Sequence, residues 1–93
     1  MLSTLENLFK LVRERKKRPV DGSYTNKLLS DKSLSKSKVL EEINELFEAV
    51  DKDTNKIHEA ADVFYHLIIY LEAHNIKIEH IEEELKKRKK SNE

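Results

Sequence analysis

The 93-residue chain contains no cysteine and only one glycine and one proline. Without cysteine there is no disulfide framework, no thiol nucleophile and no Cys-ligated zinc. One Gly and one Pro supply too few turn-forming positions for an all-β sandwich or barrel, so helices are favoured. No apolar run approaches the roughly 18 residues that span a bilayer, and no signal-peptide pattern opens the chain. These absences predict a soluble, cytoplasmic, helical protein that has no membrane partner.

What is present is charge. Asp, Glu, Lys and Arg make up 39% of the residues and apolar ones 38%, a composition close to that of disordered chains. The apolar residues are strongly periodic, however, and this returns the chain to the globular class. Residues 1–93 read as a single small domain whose core is modest, so oligomerisation is expected to add stability. The zero net charge hides an asymmetry: residues 1–40 hold ten basic against four acidic residues, and residues 41–93 hold eight against fourteen. Such halves can be self-complementary in helix packing, or can mark a site where acids hold a metal and bases hold a polyanion.

Hydrophobic spacing predicts an all-α bundle of about four long helices and a short one. Leu5, Leu8, Phe9 and Val12 form one stripe of a first helix running from Ser3 or Thr4 to about Lys17. Pro19 and Gly22 end it, and Ser23-Tyr24-Thr25 opens a short segment through Leu29. Residues 30–37, rich in Ser and Lys, read as a loop ending in a cap at Ser35 or Ser37. The next helix spans about residues 38–50, with Val39, Ile43, Leu46, Phe47 and Val50 as its apolar face. A polar connection, residues 51–55, leads to a helix over about residues 56–74 that is apolar almost all round and should be central. Asn75 stops it, and a last helix starts at Ile78 with Glu82→Lys86, Glu83→Lys87 and Glu84→Arg88 in favourable i,i+4 order. Residues 89–93 are expected to fray.

The apolar central helix carries an anomaly. Glu59, Asp62 and His66 lie at i, i+3 and i+7, a polar stripe on a helix that should be buried. Burying a carboxylate is costly unless it is paired or binds a metal. The preceding helix offers Glu41, Glu42 and Glu45, and the short connection predicts antiparallel packing that brings Glu42 and Glu45 near Glu59 and Asp62. Four carboxylates that converge without bases repel one another, and a hard divalent cation resolves the conflict. With oxygen ligands alone, Mg²⁺ or Mn²⁺ is expected. Taken singly, E-x-x-E in a Glu-rich helix is a solvated face, and E-x-x-D in an apolar helix is shared between function and structural ion pairing. The two together, one short turn apart, favour a metal site.

Glu42-x-x-Glu45 followed by Glu59-x-x-Asp62 is similar to the metal-binding pattern of the all-α MazG-type nucleotide pyrophosphohydrolases. Lys38-Val39-x-Glu41-Glu42-x-x-Glu45, with Glu59-Ala60-Ala61-Asp62-x-x-Tyr65-His66-Leu67, resembles more narrowly the phosphoribosyl-ATP pyrophosphatase family of histidine biosynthesis. Gly22-Ser23-Tyr24-Thr25-x-Lys27-Leu28-Leu29 looks like that family's substrate-side motif, and Glu84-Leu85-x-x-Arg88 fits its end. The resemblance covers roughly residues 5–88. Leu40 stands where the family usually has Gly, Ser37 where a second Lys is common, and Asn44 where a small or apolar residue is usual.

The resemblance implies hydrolysis of 1-(5-phosphoribosyl)-ATP to 1-(5-phosphoribosyl)-AMP and pyrophosphate. It implies Glu42, Glu45, Glu59 and Asp62 as metal ligands and Glu41 as an extra ligand or the base that orients water. Substrate contacts fall to Ser23, Tyr24, Thr25 and Lys38; as ordinary structure these would be a helix cap, a packed Tyr and a surface Lys. His66 can orient a ligand or be a satisfied core residue, while His58, His74 and His80 read as surface residues. The resemblance further implies a homodimer of entwined helices with sites near its interface. A fusion to the next pathway enzyme, common in that family, is not expected, since 93 residues leave no room for it and there is no Cys for its zinc. Two other readings compete: a MazG-type enzyme acting on another nucleoside triphosphate, and a non-catalytic helical dimer whose acids each find an ion pair. The Arg13–Arg18 run is a solvated helix end or a lining of the polyanion site. The acidic second half and the lack of a recognition pattern oppose nucleic-acid binding.

Overall fold

The computed structural model describes residues 2–92, with side chains described for residues 2–89. Five helices follow one another: α1 (Ser3–Lys17), α2 (Tyr24–Ser30), α3 (Lys32–Lys52), α4 (Lys56–Ala73) and α5 (Ile78–Asn92). No strand occurs among the described residues, and none of these helices is long and apolar enough to cross a membrane. The all-α architecture is therefore the one the periodicity predicts. Helix α5 extends to Asn92, and of the residues 89–93 expected to fray Glu93 lies outside the described residues.

The expected loop over residues 30–37 is a correction. Helix α3 begins at Lys32 because Asp31 caps it, its Oδ1 accepting from the Leu34 amide at 3.0 Å. Leu34 packs against the core and Ser35 is buried, so the Ser- and Lys-rich stretch carries an inward edge that its composition conceals. The expected cap at Ser35 or Ser37 is thus inside the helix.

Scarcity of glycine is met by Asp and Asn at the helix ends. Asp53 (φ 55°) closes α3, with its amide reaching the Val50 carbonyl and the Thr54 amide reaching that of Ala49. Asn75 (φ 60°) closes α4 in the same way, its amide on Glu72 and that of Ile76 on Leu71. Both are left-handed terminators in which the last carbonyls are satisfied, and Asp and Asn tolerate this backbone better than other non-glycine residues. The first of them folds α4 back along α3.

Val12, Leu28, Ile68 and Ile69 form the buried centre, with Leu5, Leu8, Phe9, Leu29, Leu34 and Tyr65 packed around it. Each fully buried side chain of this kind stabilises by about 1.5–3 kcal/mol. Helix α4 is central and packs on α1, α2 and α3. It is not buried all round: Ile57 is 87% and Phe64 55% exposed, and on α3 Phe47 and Val50 are exposed as well. The periodicity locates these apolar faces correctly, but within one chain nothing covers them. The accessible surface is 7145 Å², whereas a compact monomer of this mass exposes about 5,600 Å².

Candidate active site

The α3–α4 hairpin positions the acids. Glu42 and Glu45, one turn apart on α3, face the first turns of α4, where Glu59 projects from the opposite wall. Carboxylate oxygens of Glu42, Glu45 and Glu59 lie within 4.8 Å of one another. A second group, His58, Glu59 and Asp62, meets the same distance limit, so Glu59 belongs to both. Three of the four carboxylates that the spacing singled out thus converge, and Asp62 joins them through the second group, which shares Glu59.

None of the four is ion-paired with a Lys or Arg among the described residues; the one partner of this kind is His58, whose Nε2 lies 3.3 Å from Asp62 Oδ2. Glu42 is only 8% exposed, and its Oε2 has no hydrogen-bond partner; Glu59 Oε2 is buried and equally unpartnered. Burial is the main reason that the Glu42 carboxyl is pushed above its ordinary range, with Glu45 and Asp62 adding to the rise and His66 opposing it. Glu59 is raised for the same primary reason, with Glu45 and Asp62 again adding and His58 opposing. Orphaned, buried carboxylate oxygens pointing into a shared space are what a hard divalent cation satisfies, and the donor set is all oxygen at Glu42, Glu45 and Glu59.

Glu41 lies outside both groups. It is exposed, and Lys38 Nζ approaches its Oε2 at 3.1 Å. That hydrogen bond is the largest cause of the raised Lys38 pKa, to which Tyr24 and Glu42 also contribute. Lys38 is therefore paired with Glu41 and feels the charge of Glu42 more weakly.

The substrate-side motif forms α2 and its lead-in. Gly22 adopts φ 79°, a left-handed turn that L side chains rarely take, and it delivers the chain to Ser23. Ser23 caps α2, its Oγ accepting from the Asn26 amide at 3.2 Å. Asn26, which the sequence reading passed over, clamps this loop: its Oδ1 accepts from the Val20 amide (2.9 Å) and its Nδ2 donates to the Arg15 carbonyl (2.8 Å). Its side chain type suits this, but no periodicity reveals the partners. Thr25 is buried with its hydroxyl 2.7 Å from the Tyr65 hydroxyl. Tyr24 stays partly exposed, and its hydroxyl meets His66 Nε2 at 3.1 Å. His66 Nδ1 lies 2.7 Å from the Asp62 carbonyl, an acceptor, so Nδ1 donates there, and Nε2 meets the Tyr24 hydroxyl. His66 is accordingly buried and satisfied, and it fixes α2 against the helix that carries Glu59 and Asp62. Burial raises the Tyr24 pKa.

Arg13 belongs to a different cluster from the one its basic run suggested. Its guanidinium grips Glu72, near the far end of α4, with Nη2 2.9 Å from Oε2, and holds Glu79 of α5 with Nη1 at 2.9 Å and Nη2 at 3.0 Å. Lys16 donates to the Glu72 carbonyl at 2.7 Å and to Asn75 Oδ1. The signal for this was Glu72 itself, an acid interrupting an apolar run.

Comparison with known proteins converges on one family. The family model for phosphoribosyl-ATP pyrophosphohydrolase matches residues 5–89. A phosphoribosyl-ATP pyrophosphatase from Clostridium acetobutylicum is 45% identical over 89 residues, covering 90% of this chain and 79% of that protein. One from Bacillus cytotoxicus is 40% identical over 93 residues, covering 95% and 85%. The histidine biosynthesis bifunctional protein HisIE of Pyrococcus furiosus is 37% identical over 94 residues, covering 96% of this chain and 43% of that longer protein.

Proposed function

The chain belongs to the phosphoribosyl-ATP pyrophosphohydrolase family, and from that membership we propose that it hydrolyses 1-(5-phosphoribosyl)-ATP to 1-(5-phosphoribosyl)-AMP and pyrophosphate in histidine biosynthesis. The observation that carries the reading within the molecule is the set of four acids on α3 and α4 with no Lys or Arg partner, two of them with buried, unbonded oxygens. A non-catalytic bundle would be expected to pair each buried acid with a base, and Glu42 and Glu59 are not so paired.

Water attacks the α-phosphorus, the α–β anhydride bond breaks, and the pyrophosphate leaves with its bridging oxygen. Glu42, Glu45, Glu59 and Asp62 would hold Mg²⁺, with Mn²⁺ as a substitute. When bound, the ion supplies charge neutralisation on the phosphates and a lowered pKa for water. Lys38, at the edge of the carboxylate cluster, offers its ammonium to a phosphate oxygen. That exchange takes Lys38 from Glu41 and leaves the Glu41 carboxylate free to accept the proton of the attacking water. The exposed ring of Tyr24 borders the same region, while Ser23 and Thr25 keep α2 in place through the cap and the Tyr65 contact. A nucleotide substrate and a biosynthetic role support a cytoplasmic location.

We further propose a homodimer. The surface exceeds that of a compact monomer by about 1,500 Å², and a groove of about 880 Å³ between α1 and α4 is walled by Leu5, Leu8, Leu11, Ile57 and Phe64. Light scattering at micromolar concentration should give twice the chain mass.

The activity test is pyrophosphate release from phosphoribosyl-ATP with and without Mg²⁺, beside the common nucleoside triphosphates and a Glu42→Gln variant. Magnesium-dependent turnover of phosphoribosyl-ATP, lost in the variant, supports the reading. Preference for ordinary triphosphates would move the chain to the wider pyrophosphohydrolase class. No release from any substrate by folded protein would overturn the enzymatic reading.

A further inference from the structure

We propose that the cavity beside Tyr24, between the end of α1 and the start of α2, takes the phosphoribosyl arm of the substrate, and that Asn26 is the positioning residue that holds its rim in shape. The inference rests on the proposed function and deepens it, since that arm is what distinguishes phosphoribosyl-ATP from an ordinary nucleoside triphosphate.

The segment joining α1 to α2, residues 18–23, contains the chain's one proline and its one glycine. It borders a cavity of about 580 Å³ whose lining includes Lys16, Val20, Gly22, Tyr24, Asn26 and Lys27. Small-molecule sites commonly occupy about 300–1,000 Å³. Tyr24 joins this cavity to the carboxylate region: its hydroxyl meets His66 Nε2 at 3.1 Å, one turn from Asp62, and the charges of Lys38 and Glu42 act on its ionisation. A nucleotide whose triphosphate lies at the carboxylates can thus extend past Tyr24 into this space. The arm carries a second phosphate, which needs a cation. Lys16 is committed to the Glu72 carbonyl and to Asn75, whereas the Lys27 ammonium has no hydrogen bond or ion pair among the described residues. The lining holds one acid, Asp21, and the last turn of α1 adds Arg15 and Lys17, so the field suits an anion.

The rim lies outside both helices and is held by few bonds. The Ser23 amide reaches the Val20 carbonyl at 3.1 Å, and one side chain ties the segment to both helices. Asn26, on α2, accepts from the Val20 amide at 2.9 Å through Oδ1 and donates to the Arg15 carbonyl of α1 at 2.8 Å through Nδ2. Among the described residues no other side chain bonds to the backbone of residues 18–23. Both ends of the amide are used within the protein, so Asn26 acts through the segment and not on the substrate. A rim that is already ordered spares the binding step the entropy of fixing it. The arm is remote from the reacting phosphorus, so what it gains here is felt in KM more than in kcat.

The test uses the full-length protein. Calorimetry measures binding of phosphoribosyl-AMP and of AMP, which share everything but the arm, beside kcat and KM for phosphoribosyl-ATP and ATP. Wild type should bind phosphoribosyl-AMP roughly tenfold or more tighter than AMP, and Lys27→Gln, a change at an exposed position, should lose most of that advantage. Asn26→Ala should raise KM for phosphoribosyl-ATP roughly tenfold, with kcat within about threefold and AMP binding within about twofold. Asn26→Asp, which keeps an acceptor for the Val20 amide, should recover part of the KM. An advantage that is absent from wild type, or that survives in Lys27→Gln, would overturn the assignment of the cavity. A folded Asn26→Ala variant that keeps the wild-type KM, or that loses kcat in its place, would overturn the positioning role. Turnover of ATP by wild type as fast as that of phosphoribosyl-ATP would instead overturn the substrate reading beneath the inference, so the failures are distinguishable.

Discussion

Acids line both ends of α4, and they live under opposite conditions. At the far end Glu72, only 3% exposed, is gripped by Arg13 from α1, which also holds Glu79 of α5 with its carboxyl depressed to about 2. At the near end Glu42, Glu45, Glu59 and Asp62 have no Lys or Arg ion-pair partner among the described residues, and burial pushes the Glu42 and Glu59 carboxyls up. The chain has bases enough: Lys and Arg together number 18, as do Asp and Glu. Their distribution, and not their number, separates a structural clamp from a site that awaits a cation. Neutralised acids fasten helices together, whereas acids left without bases retain the charge that a metal–phosphate complex needs.

Substitutions at the two ends should therefore separate activity from stability. The largest effect belongs to the near end. Glu42→Gln should lower kcat by about 10²- to 10³-fold, since it removes an oxygen donor from the site where charge develops. Thermal unfolding in EDTA should show the variant at least as stable as wild type, because a buried carboxylate without a partner is gone. A fall of stability together with activity would break the contrast. At the far end, Arg13→Ala leaves Glu72 buried and unpaired and should cost about 2–4 kcal/mol. For a domain of this size that is a Tm loss of roughly 10–20 °C. The kcat per folded molecule should change little, and a calorimetric scan beside an activity assay checks both. If Arg13→Ala abolishes turnover while remaining folded, the far end is not merely a clamp.

The pH dependence sharpens the same contrast. Glu42 and Glu59 have raised pKa values in the folded state, so the protonated forms favour folding. The stability they contribute is present below the ordinary carboxylate pKa and is lost as pH rises through the raised values. Glu79 is depressed to about 2, so its contribution is present above the ordinary value and disappears as pH falls toward 2. In EDTA, Tm measured from pH 3 to 8 should fall on the alkaline side of the ordinary carboxylate range by the near-end effect; saturating Mg²⁺ should remove that fall while leaving the acid limb. An identical profile with and without Mg²⁺ would contradict the assignment. The smallest effect is expected of Tyr24→Phe, which deletes the hydroxyl on His66 Nε2 and should cost about 0.5–1.5 kcal/mol.

How much of this was legible in the sequence depends on the kind of contact. The four acids could be read because the apolar background of α4 makes Glu59 and Asp62 conspicuous, and a short connection leaves one way for α3 to pack. The start of α3 was not legible: Ser and Lys carry no helical periodicity, and Asp31 and Leu34 become a cap and a core contact only when the preceding helix is in place. Tyr24 and Thr25 were identifiable by motif, but their hydroxyl partners, His66 and Tyr65, are set by how α2 docks on α4. His58 was set aside as a surface residue, which its exposure matches, yet its reach to Asp62 follows from helix geometry. Phe47, Val50, Ile57 and Phe64 were correctly apolar faces, and spacing alone does not say which chain a face is meant to meet.

The tight left-handed terminator at Asp53 has a consequence for how the molecule assembles. It joins the two helices that carry every proposed oxygen ligand, so the site is contained in residues 42–62 and requires no long loop to close before it forms. Contacts so close in sequence have little loop-closure entropy to overcome, and this favours their formation ahead of the docking of α1 on the far end of α4. The hairpin is thus a unit that can acquire its ion while the rest of the chain is still arriving, and a divalent cation added during refolding should accelerate folding as well as stabilise its product.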